Sequence, residues 1–233
     1  MFDLIAFDAD DTLWHNEALY VEAQDRLKQL LAPYAPPDAV QQALDTIEQR
    51  NLPTYGYGIK GFALSMIETA VLVSKGRVTA HEVQQIIGFA HAMLEAPVRL
   101  LEGARECIAE LAPSYRLMLI TKGDLLDQQR KIAGSGLEQY LTQVEIVSSK
   151  TDATYAAILA RHAVAPSRFL MVGNSLKSDI LPVLEIGGHA VYIPYHTTWN
   201  HEVPVESALT DAAYHQLESI SALPDLVLRL AGS

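Results

Sequence analysis

Short apolar runs recur along the chain at residues 4–7, 117–120, 144–147, 169–172 and 190–193. Continuous runs of this length, rich in Leu, Ile and Val, are what strands buried on both faces of a parallel sheet present. From Tyr115 onward they alternate with helical patterns over 124–133, 152–162 and 180–185. That succession of βα units predicts a doubly wound parallel α/β sheet of the Rossmann-like type.

The interval between the first and second runs is filled by a different period. Leu19, Leu27 and Leu30, then Val40, Leu44 and Ile47, then Val83, Ile86, Ile87, Ala90 and Met93 return at three-to-four spacing, which predicts about four amphipathic helices. Breaks fall at 33–37, 53–61 and 75–79, where Pro and Gly gather. The expected organisation is a sheet core made of residues 1–15 and 98–233, interrupted by an all-helical cap domain over 16–97. A helix at 103–111 brings the chain back to the sheet.

Composition narrows the class. Apolar residues make up 49% and charged residues 19%, as in a compact globular protein. The formal net charge of −11, with no Lys/Arg cluster, argues against a nucleic-acid partner. Cys107 is the single cysteine, so neither a disulfide framework nor a multi-cysteine zinc site is available, and a reducing cytoplasm fits best. The first residues lack a basic start and an apolar signal core, and no run reaches membrane-spanning length. The longest apolar stretch, 62–73, is interrupted by Ser65, Glu68 and Thr69 and reads as a buried helix. No membrane partner is expected.

Ligands of open parallel sheets bind beyond the carboxyl ends of the strands. Asp8, Ala9, Asp10, Asp11 and Thr12 follow the first run; Thr121, Lys122 and Gly123 the second; Ser148, Ser149 and Lys150 the third; Gly173, Asn174, Ser175 and Asp179 the fourth. Acidic, hydroxyl and cationic groups from distant parts of the chain should therefore converge. Two carboxylates about 4 Å apart repel by roughly 4 kcal/mol at an effective dielectric of 20, which a cation would relieve. In an extended segment Asp8 and Asp10 face the same side and Asp11 the other. A site of carboxylates, a carbonyl and waters suits Mg²⁺.

The segment from Phe7 through Asp8, Ala9, Asp10, Asp11 and Thr12 to Leu13 resembles the DxDxT motif of the haloacid dehalogenase (HAD) superfamily. The remaining motifs follow in family order. Thr121 stands at the strand-end Ser/Thr position, Lys150 at the single Lys, and Gly173, Asn174, Ser175, Leu176, Lys177, Ser178 and Asp179 resemble the acidic fourth motif. A helical insert between the first two motifs is also a family feature. The resemblance implies a Mg²⁺-dependent phosphatase acting on a small phosphorylated metabolite, with Asp8 as nucleophile and Asp10 as general acid/base. It also implies that Thr121 and Lys150 hold phosphoryl oxygens and neutralise charge, and that Asp8, Asp10, Asn174 and Asp179 hold the metal.

One position departs from the pattern: Asn174 stands where family phosphatases commonly have Asp. Its carbonyl can still ligate a metal, with one negative charge fewer. True dehalogenases of the superfamily use Asn in this region, but they lack a carboxylate at the position of Asp10, so Asp10 favours the phosphatase reading. A dehalogenase, a phosphomutase and a non-catalytic phosphometabolite-binding regulator are the alternatives.

Secondary candidates have structural alternatives. Lys122 either lines the pocket or is solvated. Tyr55, Tyr57 and Lys60 could reach a substrate from the insert, or simply decorate a glycine-permitted turn at Gly56 and Gly58. Trp14 and His15 either line the entrance or pack near the junction of core and insert. Asp11 reads as structural, as do His81 and His91, which lack metal-ligand pairing. His196, Trp199 and His201 follow the last run on the ligand side and read as a surface loop.

Overall fold

The computed structural model describes residues 1–195 and 214–232; His196, Trp199 and His201 lie outside the described residues. By contacts the chain divides into two units. One comprises Met1–Glu17, Val98–Lys122 and Gln128–Ser233, and the other Ala18–Pro97 with Gly123–Asp127.

The first unit is built on a sheet of six parallel strands among the described residues: β1 (Leu4–Phe7), β2 (Arg116–Lys122), β3 (Gln143–Val147), β4 (Phe169–Gly173), β5 (His189–Tyr192) and β6 (His215–Gln216), in the order β3-β2-β1-β4-β5-β6. The period of two along each strand sorts its apolar residues onto two faces. Ile5, Phe7, Leu117, Leu119, Leu170 and Val172 pack on one face with Ala104, Cys107 and Ile108 of a helix at Ala104–Leu111. Leu4, Ala6, Met118, Ile120, Phe169 and Met171 pack on the other with Tyr155, Ile158 and Leu159 of a helix at Asp152–Arg161. Both faces are covered, which is why these strands are continuous apolar runs rather than alternating ones.

The second unit holds α1 (Glu17–Leu31, from Ala18 onward), α2 (Pro37–Tyr55), α3 (Ile59–Val73) and α4 (Ala80–Glu95). Its core joins Leu27, Val40, Leu44, Met66, Ile86 and Ala90 among others, the apolar stripes that the spacing predicts. The helix of the sheet unit at Ala104–Leu111 is α5, and α6 (Leu125–Ser135), α7 (Asp152–Arg161), α8 (Leu181–Glu185) and α9 (Leu223–Gly232) complete the set.

Several details differ from expectation. The stretch 62–73 buries only one face, because a 3.6-residue period turns Leu64, Val71 and Leu72 toward solvent, at 44%, 46% and 60% exposure. The segment 53–61 is a narrower break, since α2 continues through Pro53 to Tyr55 before the turn at Gly56 and Gly58, whose φ angles of 72° and 122° require glycine. The helix expected at 180–185 is preceded by a π-helical turn, Leu176–Ile180. Strand β6 is only two residues long, too short to leave an apolar run.

Cys107 is 2% exposed, and burial, reinforced by the charge of Glu110, pushes its thiol up to about 12. A buried thiol held in its neutral form is a poor nucleophile. In the native protein Cys107 should therefore react with Ellman's reagent over an hour to less than about a tenth of the extent seen in denaturant; rapid stoichiometric labelling of the folded chain would contradict this packing.

Candidate active site

Parallel register brings the strand ends together. Phe7 pairs with Leu119 and with Val172, so Asp8 leaves β1 beside the end of β2 and the Gly173–Asn174 end of β4. The backbone N–H of Asp8 donates to the carbonyl of Val172 at 2.9 Å. Thr121 is buried at the end of β2, and Lys150, 6% exposed, follows β3.

The centre of the cluster is an ion-pair chain. Lys150 Nζ donates to Asp8 Oδ1 at 2.5 Å and to Asp179 Oδ1 at 2.6 Å, with all three side chains nearly inaccessible. Burial alone would push the lysine down, but the carboxylates of Asp179 and Asp8 outweigh it and hold the ammonium well above its usual range. Asp8 is pushed up to about 7, chiefly by burial and with help from Asp179, against the opposing pull of Lys150. Lys150 therefore stays charged, and Asp8 is the member of the chain whose ionisation is in play.

Asp8 Oδ2 accepts from Thr12 Oγ1 at 3.1 Å, and the same hydroxyl lies 3.2 Å from Asn174 Oδ1. One hydroxyl proton cannot serve both acceptors at once. Asp179 is placed by the π-helical turn: its Oδ2 accepts the backbone N–H of Ser175 at 3.0 Å, and its own N–H donates to the Ser175 carbonyl at 2.8 Å. Such turns are frequent at functional sites because they re-aim a side chain that an α-helix would direct elsewhere. Gly173 makes the approach possible, since a Cβ there would fall 2.3 Å from Asp179 Oδ2.

Asp10 sits in a separate network. Its Oδ1 accepts from Trp14 Nε1 at 2.7 Å and Lys131 Nζ at 2.7 Å; its Oδ2 accepts from Gln128 Nε2 at 2.8 Å and Lys131 Nζ at 2.8 Å. Asp11 faces elsewhere, though not by the alternation of an extended segment, because the chain turns here. At a φ of 61°, it accepts the backbone N–H groups of Asn16 and Glu17 and so caps the start of α1.

Among the secondary candidates, Lys122 Nζ donates to Ser178 Oγ at 2.9 Å. Lys60 lies in the helical unit, where it ion-pairs with Asp124 at 2.9 Å. His15 Nδ1 lies 2.7 Å from the hydroxyl of Tyr195. Gln128 and Lys131 were not singled out from sequence. Gln128 and Lys131 lie three apart on α6, and a polar pair at that spacing looks like the solvated face of any helix; only their burial, at 2% and 9% exposure, sets them apart.

Residues 2–187 match the family model of haloacid dehalogenase-like hydrolases. The chain belongs to that family. A haloacid dehalogenase-like family hydrolase from Xanthomonas campestris is 39% identical, with a TM-score of 0.88 over 99% of this chain and 92% of that one. Human N-acylneuraminate-9-phosphatase is 27% identical over 136 residues, 55% of this chain and 52% of the relative, so the chain spans about half the length of the curated relatives it matches. The fold is shared with the HAD-hydrolase YfnB of Bacillus subtilis, solved bound to magnesium, at 16% identity and a TM-score of 0.70 over 97% of this chain and 99% of that one.

Removing Lys150 would leave Asp8 and Asp179 buried without their counter-charge. Breaking a buried ion pair on one side costs about 3–5 kcal/mol, so Lys150→Met should lose stability of that order at pH 8 in urea unfolding. A loss below about 1 kcal/mol would show that the ammonium is not what holds the two carboxylates.

Proposed function

We propose that this protein is a Mg²⁺-dependent phosphatase that transfers the phosphoryl group of a small phosphorylated metabolite first to Asp8 and then to water. The observation that carries the reading is a buried carboxylate, Asp8, two positions from a second carboxylate, Asp10, held by a different set of donors. Phosphoryl transfer to a carboxylate needs both a nucleophile and an acid for the leaving oxygen. Halide displacement needs only the first, which makes the dehalogenase reading the weaker one.

In the first step an Asp8 oxygen attacks phosphorus, the bond to the ester oxygen breaks, and Asp10 gives that oxygen its proton. In the second, Asp10 takes a proton from water, the water oxygen attacks phosphorus, and phosphate leaves with Asp8 restored. Lys150, fixed between Asp8 and Asp179, keeps the nucleophile oriented and offsets the charge that builds at the site. Thr121 and Lys122, at the end of β2, are the proposed holders of phosphoryl oxygens.

The residues fit magnesium. Asp8, Asn174 and Asp179 offer two carboxylates and an amide oxygen, and the shared Thr12 hydroxyl leaves lone pairs on Asp8 and Asn174. No group of three or more His, Cys, Asp or Glu forms a cage among the described residues. Magnesium commonly takes one or two carboxylates and completes its shell with water and substrate oxygens. With its carboxylate engaged by Trp14, Gln128 and Lys131, Asp10 would contribute through its backbone carbonyl. The ion would neutralise phosphoryl charge and favour ionised Asp8.

Residues 16–97 are proposed as the cap, with Lys60 a candidate contact to substrate; a cap that excludes water suits small substrates. The likeness to N-acylneuraminate-9-phosphatases, over about half their length, favours the phosphate ester of a small polar metabolite. A net charge of −11 supports neither a nucleic-acid nor an anionic-membrane partner. No helix among the described residues is long and apolar enough to cross a membrane.

Phosphate release from a panel of small phosphate esters, in Mg²⁺ and in EDTA, tests the reading. Turnover should require Mg²⁺ and fall by at least about a thousandfold in Asp8→Asn; halide release from haloacids without phosphatase activity would overturn it. Because Asp8 must ionise to attack and its carboxyl is pushed up to about 7, kcat/KM at low Mg²⁺ should rise with pH through that region. Raising Mg²⁺ favours the carboxylate and should move this acid limb to lower pH. An acid limb that ignores Mg²⁺ would separate the ion from Asp8.

A further inference from the structure

We infer that Tyr155 on α7 is a positioning residue for Asp179: its hydroxyl takes the backbone carbonyl that Pro182 deprives of a helical donor, and so holds the π-helical turn in the form that aims Asp179 at Lys150. The consequence for magnesium rests on the reading of Asp179 as a ligand. The turn Leu176–Ile180 runs directly into α8, so in a continuous α-helix the Ser178 carbonyl would accept the N–H of residue 182. That residue is proline. It has no N–H to give, and in an α-helix its ring would press on the same carbonyl. A wider turn relieves the clash: the N–H of Leu181 reaches back five residues, to the carbonyl of Leu176. Ser178 is only 6% exposed, and a carbonyl that goes without a donor in such a place is destabilising.

Tyr155 supplies the donor, with its hydroxyl 3.0 Å from the Ser178 carbonyl. Its ring is fully buried and packs against Phe169 at a centroid distance of 6.3 Å. Phenylalanine would fill nearly the same space, so the hydroxyl has a polar task, and the carbonyl is that task. Ser178 is held at two further points: its N–H donates to Ser175 Oγ at 3.0 Å, and its Oγ accepts from Lys122 Nζ at 2.9 Å. The next residue is Asp179, whose short side chain follows its backbone and places Oδ1 2.6 Å from Lys150 Nζ. Lys150 immediately precedes Thr151, the N-cap of α7. One helix therefore presents the lysine at its start and, through Tyr155 in its first turns, pins the turn that presents the aspartate. Drawing that turn down to α-helical spacing would rotate Asp179 relative to α8 by roughly 100°, the angle of one helical residue.

Two variants separate support of the fold from aiming of Asp179. Tyr155→Phe keeps the ring and loses the hydroxyl. Tyr155→Phe/Pro182→Ala also gives residue 182 an N–H and removes the ring clash, so an ordinary α-helical bond can satisfy the Ser178 carbonyl. The double variant should have a Tm no lower than that of Tyr155→Phe. Its crystal structure should nevertheless show 176–180 at α-helical spacing, with Asp179 beyond hydrogen-bond reach of Lys150. Both variants should bind Mg²⁺ at least about tenfold more weakly than wild type in calorimetric titration, as expected when a group behind a metal ligand is removed. A role in stability alone predicts instead that the double variant, its carbonyl satisfied, recovers both the wild-type Tm and the wild-type Mg²⁺ affinity. That recovery, an unchanged Mg²⁺ affinity in Tyr155→Phe, or a retained contact between Lys150 and Asp179 in the double variant would overturn the inference. If wild type binds no Mg²⁺, the reading of Asp179 as a ligand fails, and the position of its carboxylate in the double variant still decides whether Tyr155 aims it.

Discussion

Lys150 Nζ lies 2.5 Å from Asp8 and 2.6 Å from Asp179, and this one ammonium makes the ends of three strands compatible. Without it two carboxylates would sit in a space that admits almost no water, where charges interact far more strongly than at the surface. With it, the chain of charges carries a net negative charge of one, enough to attract a divalent cation without repelling a phosphate ester from the site. The same pairing makes Asp179 a fixed support and leaves Asp8, pushed up to about 7, as the group that responds to its surroundings.

The sheet supplies the geometry on which that interaction depends. Five strands stand in parallel register, and β1, β2, β4 and β5 bury residues on both faces while the edge strand β3 stays partly exposed, so the positions just beyond their carboxyl ends are the first places where polar side chains can stand without disrupting the core. Two local devices finish the job. Gly173 removes the side chain that would collide with Asp179, and the π-helical turn over Leu176–Ile180 turns that carboxylate toward Lys150. Asp10, four residues from Trp14, is held apart by a second cation, Lys131, so Asp8 and Asp10 each have their own lysine.

The fold was legible because its signals are periodic. Apolar runs at β1, β2, β4 and β5 and the stripes of the helical unit can be read without knowing their partners, since burial on two faces or on one stripe leaves its mark in each segment separately; the run at 144–147 is a strand as expected, but an edge strand, β3, with no fully buried residue. Asp8, Lys150, Asn174 and Asp179 were legible because each directly follows such a run or falls in a recognisable motif, and the structure brings them together. What could not be read depends on three-dimensional neighbours. Lys131 and Gln128 matter through burial against Asp10, and nothing within α6 marks its inner face as polar for a purpose. The π-helical turn has no period of its own to detect, and β6 is too short to have one. The pairing of Lys60 with Asp124 likewise joins residues that no local pattern links.

The account stands on Asp8 carrying the phosphoryl group. The most direct measurement is to mix enzyme, Mg²⁺ and a turned-over phosphate ester, quench in acid within milliseconds, and map the modified peptide by mass spectrometry. The account predicts an acid-stable, hydroxylamine-labile phosphate on the peptide containing Asp8, formed and lost at rates consistent with turnover. Phosphate on another residue, or steady turnover with no phosphorylated Asp8 at any quench time together with direct transfer of the phosphoryl group to water, would contradict it.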